Sequence, residues 1–143
     1  MNVEKSFIDT NIIVYAFDQS DKQRNLVAAD LLRILVNTNN AVISVQVLKE
    51  FFITVTRKIK VVISEQEATQ IINDLCIMHV VDDILPLLHR ALALKQNYSL
   101  SLWDATIIAA AIATNCHYLY TEDLQAGQNI EGLIICNPFI ATG

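Results

Sequence analysis

Four acidic residues, far apart in the chain, stand at or near the ends of apolar segments. They are Asp9 after "SFI", Glu50 in "QVLKEFF", Asp104 in "LSLWDATIIAAA" and Asp123 in "LYTED". Carboxylates gathered in one place repel one another, so either some protonate or a cation neutralises them. With oxygen donors and no neighbouring His or Cys, the hard ion Mg²⁺ fits the set, with Mn²⁺ as its substitute. The matching chemistry is phosphodiester hydrolysis, in which a metal acidifies a water and offsets charge on the leaving oxygen. No Ser–His or Cys–His arrangement offers a competing nucleophile. His79, His89 and His117 lack zinc-ligand spacing. Cys76, Cys116 and Cys136 lack a CxxC pair and read as small buried residues of a reducing compartment.

Each acid also has a plainer role open to it. Asp9 and Asn11 suit capping of a helix that begins near Ile12. Asp104 stands three residues after Ser101, the spacing of a capping box. Against that, Leu102, Trp103, Ala105, Ile107 and Ile108 surround it with apolar side chains, and a carboxylate in a buried helix needs a partner. Glu50 lies opposite the stripe Leu48–Phe51–Phe52–Val55, near Gln46 and Arg57, which suits solvent or an ion pair with Arg57. Glu122 and Asp123 together suit a solvated loop.

The elements around these residues decide whether they meet. "SFID" reads as a strand followed by a helix from Ile12, and a second helix covers residues 25–35. "AVIS" is a strand leading into a helix over residues 45–58. Ser64 and Glu67 mark a helix start in "SEQEATQIINDLCIM". Asp82 or Asp83 suits the cap of the next helix, with Pro86 in its first turn. "SLWDATIIAAAIATN" is a further helix, and "HYLYT" and "LIICN" are closing strands. This alternation predicts an α/β fold, a short parallel sheet flanked by helices on both faces. In such a sheet, ligands sit beyond the carboxyl ends of the strands. Asp9 and Asp123 follow strands, and Asp104 and Glu50 lie in the early turns of helices that start on the same edge. The fold itself gathers the four acids.

The 143 residues suit one domain, 1–143. Hydrophobic residues make up 53%, and mean hydropathy is +0.39. "ATIIAAAIA" is far short of the ~20 residues of a bilayer span, and no basic segment precedes an N-terminal apolar run. A cytoplasmic protein with an apolar interface, a homodimer or a complex, is the expectation, with no membrane role. A net charge of −5 does not announce a nucleic-acid binder. Lys22, Arg24, Arg57, Lys58 and Lys60 are the local candidates for phosphate contacts, or else solvated helix ends.

The ordered set "FIDTNIIVYAF", "ISVQVLKEFF", "LSLWDATIIAAA", "LYTEDLQAG" and "IICNPF" resembles a PIN-domain ribonuclease, and more narrowly a VapC-type toxin of a bacterial toxin–antitoxin pair. The resemblance runs from Phe7 to Phe139. It implies a PIN-like three-layer fold and metal-dependent endonucleolytic cleavage of RNA. It implies that Asp9, Glu50, Asp104 and Asp123 form an acidic metal site, with Asp9 and Asp104 the most direct ligands. Asn11 and Thr121 match polar positions that line the site. It also implies a cognate VapB-type antitoxin that covers the acids, inserting an Arg or Lys among them. A PIN-family RNA-processing nuclease without a toxic role, and a non-catalytic domain with an acidic rim, are the alternatives. An aspartyl phosphotransfer fold lacks the late lysine it needs.

Overall fold

Six strands form one sheet in the order β3–β2–β1–β4–β6–β5 in the computed structural model, which describes residues 3–140. The strands are β1 (Ser6–Ile8), β2 (Ala41–Ser44), β3 (His79–Val81), β4 (Tyr118–Tyr120), β5 (Asn129–Ile130) and β6 (Leu133–Cys136). The helices are α1 (Thr10–Phe17), α2 (Lys22–Asn37), α3 (Val45–Arg57), α4 (Glu65–Leu75), α5 (Leu85–Tyr98) and α6 (Leu102–Ala113). Every pairing is parallel except β5 with β6.

All residues of β1 and β2 are buried, as expected for strands covered on both faces. The chain moves outward from β1 to β2 and β3, then returns past β1 to β4. Right-handed crossovers in opposite directions send their helices to opposite faces. Accordingly α1, α2, α3 and α4 form one packed group, and α5 and α6 form another. Helix α6 buries Ala105, Ile107, Ile108, Ala109, Ala110 and Ala111, and its small side chains let it lie close to the sheet.

The sheet is therefore mostly parallel rather than wholly so. The antiparallel β5 comes from a two-residue hairpin at Glu131 and Gly132, both at positive φ (53° and 96°), the backbone a tight hairpin needs. Other expectations are corrected locally. The first helix begins at Thr10, with Asp9 as its N-cap. The second runs from Lys22 to Asn37, with the Asp21 side chain accepting from Arg24 N–H. Neither Asp82 nor Asp83 caps α5. Ile84 holds the cap position without a side-chain bond, and Pro86 in the first turn has no N–H to satisfy. Ser64 and Ser101 cap α4 and α6 as expected. Cys116 is buried, but Cys76 is exposed, and neither is in a disulfide.

Candidate active site

Strands β1 and β4 lie side by side at the centre of the sheet, yet the chain leaves them toward opposite edges of the sheet. That makes their carboxyl ends the switch point where an open α/β sheet opens a crevice. Asp9 and Thr121 are the residues just past those ends. The Asp9 N–H continues the ladder to the Tyr120 carbonyl at 3.0 Å, and the Thr121 N–H continues it to Cys136 at 2.9 Å.

Asp9 is 5% exposed. The Thr10 N–H donates to its Oδ1 at 2.7 Å, and the Thr121 hydroxyl donates to its Oδ2 at 2.9 Å. Burial pushes its carboxyl up to about 7, although both hydrogen bonds pull downward; the negative charges of Asp123 and Glu50 push it further up. Helix capping and a place among the acids are thus both true of Asp9.

Glu50 does not reach Arg57. An i, i+7 pair on one helix is separated by about 10 Å along its axis. Where α3 crosses α1, the Thr10 hydroxyl donates to Glu50 Oε2 at 2.8 Å, and Gln46 Nε2 donates to Oε1 at 3.1 Å. Helical periodicity placed this carboxylate in solvent; the neighbouring helix half-buries it. Thr10 is a site residue that the sequence did not disclose, because its partner is fixed by a helix crossing, whereas Gln46 stands beside Glu50 by i, i+4 spacing on α3.

The Asp104 N–H donates to Ser101 Oγ at 3.1 Å. Partial burial raises the Asp104 carboxyl above the usual carboxylate range, the Ser101 hydroxyl lowers it, and the charges of Asp123 and Glu50 raise it. The apolar surroundings expected for this helix turn hold only in part, since Trp103 is 65% exposed. Asp123 is exposed on the loop after β4. Asn11 Nδ2 donates to its Oδ2 at 2.8 Å, and its own N–H donates to Thr121 Oγ1 at 3.1 Å. Asn11 Nδ2 also lies 3.4 Å from Thr121 Oγ1. Asn11 and Thr121 therefore tie the Asp9 and Asp123 carboxylates together.

Asp9 and Asp104 both feel the charges of Glu50 and Asp123, so all four acids share one electrostatic neighbourhood. Among the described residues, no three acidic, His or Cys side chains are arranged to hold a metal ion as they stand. Asp9 and Glu50 instead direct their oxygens at Thr10, Thr121 and Gln46, which spreads the negative charge. The donor chemistry suits a hard cation: the oxygens are carboxylate, hydroxyl and amide, and the buried Asn11 Oδ1 has no hydrogen-bond partner.

Of the basic candidates, Arg24 is engaged by Asp21 at 3.2 Å and Glu122 at 3.4 Å and stacks over Tyr15 and Phe139. Lys58 is exposed and lines two grooves of about 450 and 430 Å³ on either side of Thr10. Lys49, which the sequence did not single out, lines the first of them with Glu50 and Trp103. Among the described residues no helix is long and apolar enough to cross a membrane.

A doubly wound α/β sheet with acids at its switch point defines the class of protein. The chain belongs to the PIN domain family, whose model matches residues 6–128. No curated protein matches it. Its fold is similar to solved structures that share little sequence. A toxin–antitoxin complex from Klebsiella pneumoniae is 21% identical with a TM-score of 0.70, covering 93% of this chain and 97% of that one. VapBC2 from Rickettsia felis, bound to a DNA fragment from its promoter, is 24% identical with a TM-score of 0.66, covering 91% and 96%. The sarcin–ricin-loop-cleaving toxin VapC20 of Mycobacterium tuberculosis is 17% identical with a TM-score of 0.63, covering 82% and 89%.

Proposed function

We propose that this protein is a Mg²⁺-dependent endoribonuclease, with Mn²⁺ able to substitute, and the toxin of a type II toxin–antitoxin pair. The observation that carries the reading is the convergence of Asp9, Glu50, Asp104 and Asp123 at the switch point of a PIN fold. Family membership supports nuclease chemistry. The toxin reading draws on the similarity to a toxin–antitoxin complex, to a VapBC pair and to a toxin that cleaves the sarcin–ricin loop.

Asp9 and Asp104 are the direct ligands, and Glu50 and Asp123 complete the shell or orient the attacking water. When bound, the ion supplies a more acidic water and neutralises charge on the phosphate. Thr10 and Gln46 fix the direction of Glu50, while Asn11 and Thr121 hold Asp123 and Asp9. In the absence of the ion, Asp9 with its carboxyl near 7 takes up a proton and relieves the repulsion. Partners in this reading are a VapB-type antitoxin, whose Arg or Lys would take the cation's place, and a second copy of the chain in a cytoplasmic homodimer.

The test is induction in a bacterial host, with and without the antitoxin encoded beside it. Growth arrest with cleaved RNA, relieved by the antitoxin and absent in Asp104→Asn, is the expected result. Harmless expression of soluble protein that cleaves RNA in vitro would reject the toxin role, and failure to cleave RNA with Mg²⁺ or Mn²⁺ would reject the nuclease.

A further inference from the structure

The chain contains one tryptophan, Trp103, and it stands beside Asp104 with 65% of its surface exposed. Leaving a large apolar ring in water beside a polar crevice gains nothing for folding, and a ring so placed offers a face to a ligand. Trp103 lines a groove of about 450 Å³ with Ile53, Thr54, Lys49 and Lys58, and with Thr10 and Glu50 of the acidic site. The groove is thus continuous with the site. It is large enough for a nucleobase, and it has an aromatic wall on one side. Neither lysine is paired with a carboxylate among the described residues, in a chain whose net charge is −5.

Resting on the nuclease reading above, we infer that Trp103 stacks an unpaired base of single-stranded RNA next to the scissile phosphate, while Lys49 and Lys58 hold the flanking phosphates. An aromatic face flanked by two cations is the pattern of single-strand binding. Lys49 and Lys58 are nine residues apart at one helix and its C-cap, so they span about 13 Å along the axis and suit two phosphates rather than one. A base-paired nucleotide cannot present its face to the ring, so the subsite selects unpaired RNA. Trp103 is a substrate-positioning residue here, and the acids remain the reacting centre.

The single tryptophan makes the test direct. Asp9→Asn protein, in Mg²⁺, is titrated with a short mixed-sequence single-stranded oligoribonucleotide, an abasic oligomer of the same length, and a blunt RNA duplex. The expected result is quenching of Trp103 fluorescence by the single strand, with little by the other two. Read by fluorescence anisotropy of the end-labelled oligomer, Trp103→Ala should weaken single-strand binding by about 5- to 100-fold, and Trp103→Phe should retain most of it. Lys49→Ala and Lys58→Ala should each lower the slope of log affinity against log salt by about 0.7. Equal quenching by the abasic oligomer would overturn the inference, as would unchanged affinity in folded Trp103→Ala. Quenching by an antitoxin peptide but by no RNA would assign the groove to protein instead. If Trp103→Ala cleaves RNA with unchanged KM, the subsite is wrong while the nuclease reading stands. If the wild-type protein cleaves no RNA at all, that reading fails by itself.

Discussion

The hydroxyl of Thr121 donates to Asp9 Oδ2 at 2.9 Å across 112 residues of chain, joining the carboxyl ends of the two central strands. Thr121 is fully buried, and its oxygen also accepts from the Asp123 N–H. One side chain thus sets both the first and last of the four acids.

Thr121→Val removes that hydroxyl while keeping the shape. Two consequences are expected: a stability loss of about 1–2 kcal/mol, mainly from the buried Asp9 carboxylate that loses its hydroxyl donor, and a fall in cleavage of about 10- to 100-fold. Thr121→Ser should recover most of both. Chemical denaturation and initial cleavage rates on the three proteins check this.

Asp9 ionises less readily in the folded protein (about 7) than in the unfolded chain (3.8). A raised carboxyl destabilises the metal-free fold as pH rises: its contribution is fully present below about 4 and is lost through about 7. Asp9→Asn, which stays neutral, should therefore be more stable than wild type by on the order of 1–3 kcal/mol at pH 8 in chelator. The difference should vanish near pH 4. Thermal denaturation of both proteins across that range reads the effect, and a constant difference at every pH would contradict it.

Ser101→Ala deletes the cap of α6 and the hydroxyl that holds the Asp104 carboxyl down. It should cost about 1 kcal/mol. Its second effect is on titration: the Asp104 carboxyl rises, and the acidic limb of the cleavage profile moves to higher pH. Ser101→Asp would restore the cap but add a negative charge beside Asp104, so it should recover stability without recovering the profile.

The sequence made the frame legible because its signals are local. Alternating strands and helices, the serines at positions 64 and 101, and the burial of "SFI" and "AVIS" all carry over into the structure. Strands β3 and β5 were missed because they have three and two residues, and β3 is an edge strand of pattern exposed, half-buried, buried. The Glu131–Gly132 hairpin lacks the Asn-Gly or Asp-Gly pair that announces such turns. Sheet topology was enough to draw Asp9, Asp104 and Asp123 to one edge. It also put Glu50 on that edge, with Gln46 beside it by i, i+4 spacing, but it did not give the contact with Thr10, which depends on how α3 crosses α1. The exposure of Trp103 was equally hidden, since its helix is otherwise apolar nearly all round.

The most direct measurement is calorimetric titration of Mn²⁺ into the free protein at pH 7.5 and into Asp9→Asn, Glu50→Gln, Asp104→Asn and Asp123→Asn. If the four acids form one site, each substitution weakens binding, Asp9→Asn and Asp104→Asn most, by tenfold or more. Binding that is unchanged in Asp9→Asn and Asp104→Asn, with both proteins folded, would show that the ion is held elsewhere and would contradict the account.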